Sequence, residues 1–220
     1  MSTNRISDTT PGDEIFPQFT GLYALVASEV SGLSDTHLDW SSSTWEWSKW
    51  SIKQQVSHMG SFLPGWLLRR WGNQLFPDGL QDLGQLAEYK KSDKGWWLDE
   101  ERYPNLSDLL QKLQDGLNLA QQILSTETLG SLRTKEEPRP DTPPHWAWFA
   151  DAHPTGIRWH ESIPNFTYIS LEATFRHLYF EVITHLYNIQ RIKKAQNLHT
   201  VVIVPMEGYL ALPNWDRSEP

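Results

Sequence analysis

Glu181 and His185 stand four residues apart in the segment LEATFRHLYFEVITHLYNIQ. On a helix that spacing projects both side chains from one face, one turn apart, so that a carboxylate and an imidazole can reach a single ion. At about 100° per residue, Glu181 falls about 40° to the side of His185. His185 itself lies inside the apolar arc of Leu171, Phe175, Leu178, Val182, Leu186 and Ile189. His177 continues the four-residue series upstream. Eight residues of helix rise about 12 Å, too far for His177 and His185 to share one ion, and His177 is turned about 80° toward the outer flank. Its expected part is a hydrogen bond to Glu181, and Asn188, on the flank shared with Glu181, is a candidate for a similar supporting contact.

The third ligand must come from another helix. His58 lies beside Gln55 and Phe62 on the edge of an apolar stripe, where a side chain can reach between two packed helices. Two imidazoles and one carboxylate leave open positions for water or substrate, as a catalytic site requires. Glu181 has a second candidate role as general base beside a two-histidine site. Taken singly, each of these residues also has an ordinary packing role, and E-x-x-x-H recurs by chance.

Four amphipathic segments could position these groups. The first runs from about Pro17 to Val30 and is stopped by Gly32. The second runs from Ser51 to about Trp71, with Ser51 and Gln54 spaced as a capping box and Ile52, Val56, Met59, Leu63 and Leu67 as its buried stripe. Pro64 should kink or split it near Gly60 to Ser61. The third follows Asn105 as N-cap, with Leu106, Leu109, Leu110, Leu113, Leu117, Ala120 and Leu124 in one stripe. The fourth spans about Ser170 to Lys194, and Arg191, Lys193 and Lys194 suit the negative end of its dipole. The expected fold is all-α, a four-helix bundle in one domain over 1–220, with its core at about 15–195 and an irregular tail over 196–220.

Two connections, 72–104 and 126–168, exceed ordinary bundle loops. The second carries Pro138, Pro140, Pro143, Pro144, Pro154 and Pro164 with Trp146, Trp148 and Trp159, and is expected to pack over the helices. Val201 to Val204 in the tail either pairs with a loop or lies extended. His145, His153 and His160, with Asp151 and Glu161, are weaker candidates to line a pocket mouth, and the three tryptophans could stack on a flat substrate. Asp151, His153 and Ser162 make no convincing triad, because no strand-turn-helix elbow surrounds the serine.

Composition narrows the function. Nineteen Lys plus Arg against 27 Asp plus Glu give a net charge of −8, which opposes a broad grip on nucleic acid or anionic membrane. Without cysteine there is no disulfide framework, thiolate metal site or protein thiol nucleophile. The opening residues lack a signal-peptide apolar region and no stretch approaches a membrane span, so a soluble, cytoplasmic protein is expected.

The order WSKWSIKQQVSHMGSFL, followed far downstream by LEATFRHLYFEVITHLYNIQRIKKA, resembles the DinB/YfiT-like superfamily. These are four-helix bacterial proteins in which a Trp-Ser-Ile start leads to a helix-two histidine and the last long helix carries two further ligands. GLSDTHLDW resembles the link after that family's first helix. The likeness spans about 15–71 and 105–195 and leaves out the Pro/Trp-rich insertion. It implies His58 and His185 as ligands, with Glu181 where the family commonly has histidine, a His-Glu-His series that recurs in some relatives. It implies a divalent ion, zinc or nickel, while two histidines with one carboxylate also suit iron(II). Relatives include thiol-dependent transferases and a mycothiol-dependent isomerase. The implied activity is therefore transfer or rearrangement of a small-molecule substrate with a low-molecular-weight thiol, or hydrolysis, in a protein that forms homodimers. The competing class is a non-catalytic metal- or ligand-binding stress or interaction protein.

Overall fold

In the computed structural model the described residues are 6–79, 95–140, 142–143 and 146–220. His145, Pro144 and the side chain of Trp148 lie outside them. Among the described residues the α-helices are α1 (Gly12–Ile15), α2 (Leu22–Val30), α3 (Asp35–Asp39), α4 (Ile52–Pro64), α5 (Gly72–Leu75), α6 (Leu106–Thr126), α7 (Leu129–Thr134), α8 (Trp146–Ala150) and α9 (Leu171–Ala195). Three strands, β1 (Glu136–Arg139), β2 (Ile157–Trp159) and β3 (Thr167–Ser170), form an antiparallel sheet in the order β1-β3-β2.

The expectation of an all-α four-helix bundle is overturned. About 55% of the chain is helical and the region between the third and fourth long helices holds a sheet, so the fold is mixed α and β. β3 supplies β-branched and aromatic residues and takes the central place, where both neighbours satisfy its backbone. Pro138 is tolerated because β1 is an edge strand, with Pro138 opposite Tyr168. Arg158 of β2 lies 3.7 Å over the Tyr168 ring and donates to Glu136 Oε2 at 2.8 Å, fastening the two outer strands across β3.

β3 leads directly into α9. Ser170 caps the helix by accepting from the Ala173 amide at 3.1 Å, while its own amide donates to the Gly156 carbonyl at 2.7 Å. The sheet therefore fixes where α9 begins, and with it the register of every side chain along that helix.

α4 starts at the capping box the sequence predicts. The Gln54 amide donates to Ser51 Oγ at 3.2 Å and the Ser51 amide to Gln54 Oε1 at 3.1 Å. α4 packs on both α6 and α9, burying Val56, Met59 and Leu63 against Leu113, Leu117, Val182 and Leu186, all at 1% exposure or less. Each such side chain contributes roughly 1.5–3 kcal/mol. Gly116 permits the close approach: a Cβ there would stand 2.9 Å from Leu63 Cβ.

The irregularity from Pro64 falls later than Gly60 to Ser61. The α-helix runs through Pro64 and then widens into a π-helix over Gly65–Arg70, closed by the Trp71 amide on the Trp66 carbonyl at 3.1 Å. Pro64 has no N–H to offer the carbonyl one turn back, and the wider turn absorbs the mismatch.

Arg191 and Lys193 are only 2% and 3% exposed, and do not act as solvent-facing caps of the helix dipole. Lys193 Nζ pairs with fully buried Glu29 at 2.6 Å, and Glu29 also accepts from Gln190 and from the Val201 and Val202 amides. The Val201 to Val204 run is thus held extended by a carboxylate and joins no strand.

Candidate metal centre

α4 and α9 cross so that His58, Glu181 and His185 converge, with one donor atom from each within 4.8 Å of the others. Glu181 Oε2 lies 3.3 Å from His185 Nε2, and the His58 and His185 rings are 4.6 Å apart between centroids. Donors about 2.1 Å from one tetrahedral ion stand about 3.4 Å apart, so the Glu181–His185 gap already fits and the other gaps need to contract by at most about 1.4 Å.

The tautomers follow from the neighbours. His185 Nδ1 faces the side-chain oxygen of Gln55, a buried residue whose Nε2 donates to the Trp47 carbonyl at 3.5 Å. His58 Nδ1 faces the Trp96 carbonyl. Neither oxygen can donate, so both imidazoles carry a proton on Nδ1 and keep Nε2 as the lone-pair nitrogen. That is how metal-ligating histidines are commonly oriented. It also sets a lone pair on His185 Nε2 against a carboxylate oxygen 3.3 Å away, a contact that either a second ring proton or a metal cation between the two atoms relieves.

Residues 96–98 cover this end of α4. Ser61 Oγ donates to the Trp96 carbonyl at 3.1 Å, and the Leu98 amide donates to Ser57 Oγ at 3.0 Å. Ser57, His58 and Ser61 share one helix face, so the same stripe that presents the imidazole docks its cover. Trp50 lies parallel to the His185 ring at 5.9 Å and 5.1 Å from His58, setting an apolar face against both imidazoles. Glu181, with its side chain 21% exposed, marks the side left open.

On its other side Glu181 Oε1 is 3.8 Å from His177 Nδ1. Burial pushes the Glu181 carboxyl up, but the imidazoles of His185, His177 and His58 around it favour its ionised form more strongly and bring it down to about 2. His177 is buried, where an outer-flank position is expected from its helical angle, and Nδ1 also lies 2.6 Å from the Tyr209 hydroxyl. Burial lowers its pKa to about 4, against Glu181 and with Arg139 and Arg70.

The remaining candidates part company. His153 is buried, with Nε2 3.0 Å from Tyr209, and burial lowers its pKa to about 3. His160 Nδ1 accepts from the Ser162 and Ile163 amides and shapes its own loop. Asp151, Glu161 and Ser162 are exposed. Asn188 accepts from Arg191 and makes no contact with the three ligands among the described residues. Trp146 is buried against His177, whereas Trp159 is 43% exposed on β2. Trp96, Trp66, Arg139 and Tyr209 carry no signal in their local sequence, and Trp50 stands out only as the start of the Trp-Ser-Ile motif. Gln55 did carry a signal, sitting three residues before His58 on the same helix face, whereas Tyr209 comes from a tail without periodicity.

No match is found among family models, curated proteins or solved structures. Among the described residues no helix is long and apolar enough to cross a membrane.

Proposed function

We propose that this chain is a DinB/YfiT-like metal-dependent enzyme acting on a small molecule, with a divalent ion held by His58, Glu181 and His185. The observation that carries the reading is the pair of facing acceptors, His185 Nε2 and Glu181 Oε2 at 3.3 Å, with both histidine Nδ1 atoms already engaged by oxygen. Zinc or nickel suits the two imidazoles and the carboxylate, and iron(II) accepts the same set. Bound there, the ion would supply Lewis acidity and lower the pKa of a coordinated water or thiol.

The chain's own residues do the rest. Gln55 and the Trp96 carbonyl orient the two imidazoles and Trp50 lies against both rings; in the alternative arrangement, with the two histidines alone holding the ion, ionised Glu181 would take a proton from the incoming nucleophile. The nucleophile is water, for hydrolysis, or a small thiol from solution, for transfer or rearrangement, since the chain contains no cysteine.

Elemental analysis of protein purified without added metal, followed by zinc titration, tests the assignment. About one divalent ion per chain is expected, lost in His58→Ala and His185→Ala with the circular dichroism of the wild type retained. A wild-type protein that neither carries nor takes up metal overturns it, as does undiminished metal in both histidine variants.

A further inference from the structure

Arg139, at the end of β1, holds a guanidinium that is left without an ion pair among the described residues. Its Cζ lies 3.9 Å from the centroid of Trp146 and 5.3 Å from that of Trp66. Its Nη1 is buried and makes no hydrogen bond, and among the described residues no carboxylate forms an ion pair with it. Arg70 lies 4.5 Å over the same Trp66 ring, so a second cation is added where a counter-charge is wanted. Burial first, and Arg70 second, bring the Arg139 pKa down to about 10, which still leaves it charged at neutral pH. Glu137, which accepts from Gln74 Nε2 at 2.6 Å, acts on Arg70 and not on Arg139. Burying an unpaired charge is costly, and a site that does so is matched to a ligand that repays it.

The surroundings indicate what that ligand is. Trp66 and Trp146 give Arg139 apolar walls and also contact His177, at 4.7 and 5.2 Å between centroids. Glu181 follows His177 by one helical turn, about 6 Å along the axis. A guanidinium fork matches a carboxylate bidentately, and indole walls suit an apolar or flat body beside it.

We propose that Arg139, between Trp66 and Trp146, is the recognition site for the carboxylate of a small organic acid whose reacting end reaches His58, Glu181 and His185. The acid must span from the indole pair, past His177, to Glu181, whose Oε1 lies 3.8 Å from His177 Nδ1. The inference rests on the metal-centre reading for the second half of that statement, and the test separates the two.

Benzoate, phenylacetate, benzamide and inorganic phosphate are titrated by calorimetry into the full chain as purified, into zinc-loaded protein, and into Arg139→Gln, Arg139→Lys and His185→Ala. Saturable binding of the two carboxylates is expected, with benzamide at least about 10-fold weaker and Arg139→Gln weakened by at least about 10-fold, the loss of one charge-assisted pair. Arg139→Lys, which keeps the charge, should recover part of the affinity, and zinc binding by both Arg139 variants should match the wild type. Carboxylate binding that persists in His185→Ala without metal supports the subsite even where the metal reading fails. No carboxylate binding by a wild type that takes up zinc overturns the subsite and leaves the metal centre standing. Equal binding of benzoate and benzamide, tighter binding of phosphate than of benzoate, or unchanged benzoate binding in Arg139→Gln also overturns it.

Discussion

Replacing Gln55 by Met removes the acceptor of His185 Nδ1–H while nearly preserving side-chain volume. Gln55 is 2% exposed and His185 8%, so water has little access to replace the lost bond. The imidazole then has a better choice: it moves its proton to Nε2 and donates to Glu181 Oε2, already 3.3 Å away. Metal binding must reverse that tautomer before the lone pair becomes available. The difference equals the worth of a buried hydrogen bond to a charged group, about 1.5–3 kcal/mol, which is roughly 10- to 150-fold in affinity. The expected loss agrees with the usual 10- to 100-fold effect of removing the partner that orients a ligating histidine. Zinc affinity measured by competition with a chelator at pH 7 reads this directly, with thermal unfolding of the metal-free protein as the check on folding. Gln55→Glu keeps the acceptor oxygen and should bind zinc at least as tightly as the wild type. A folded Gln55→Met protein with zinc affinity within about threefold of wild type would refute the reasoning.

Two further outcomes follow from the buried charges. His153 and His177 have folded-state pKa values of about 3 and about 4, both below 6.5, so the unfolded chain binds more protons across that interval. Stability is then full above about pH 6.5 and falls as pH drops toward 4 and then 3, each group contributing on the order of 3 kcal/mol or more. Urea unfolding between pH 7 and 4 should show the decline, and His153→Gln should flatten it; a flat wild-type profile would count against the buried neutral assignment. Glu29→Gln leaves the Lys193 ammonium buried without its carboxylate, which costs about 3–5 kcal/mol, on the order of 10 °C in Tm for a chain of this size. Calorimetry showing a drop below about 2 °C would mean that the pair is a minor contributor.

What could be read from sequence is what local chemistry dictates. The Ser51–Gln54 box and the 3.6-residue stripes of α4, α6 and α9 act over one or two turns, and they appear where the pattern puts them. The strands do not declare themselves: β1 reads EEPR, two acids and a proline, and is a strand only because β3 offers an edge to pair with. Lys193 looks like a dipole cap because nothing near it in sequence reveals Glu29 as its partner. The triad was legible because α9 fixes the Glu181–His185 spacing and the apolar stripes of α4 and α9 dictate which faces meet. The surroundings of the triad were not, since Trp50 and Trp96 reach it, and Arg139 reaches the neighbouring Trp66 and Trp146, from irregular or short segments whose positions are set by long-range packing.

The hydrogen bonds running away from Glu181 have a direction, and Glu181 sets it. Tyr209 places one hydroxyl between His177 Nδ1 and His153 Nε2, so it donates to one nitrogen and accepts from the other. Its pKa is raised well above 10, by burial and then by Glu181, and the phenol keeps its proton. If Tyr209 donated to His177, the Nδ1 lone pair of that ring would also face ionised Glu181 Oε1 at 3.8 Å, an unfavourable contact. With the proton on His177 Nδ1 the charge contact becomes favourable, His177 donates to Tyr209, and Tyr209 donates to His153 Nε2. Neutral His153 then carries its remaining proton on Nδ1, a buried atom without a partner. The carboxylate at the metal centre thus leaves an unused N–H donor beside Trp146, whose ring also carries the unpaired guanidinium of Arg139. Two unsatisfied donors around one indole, with no acid paired to either among the described residues, is the polarity expected where an anion is received.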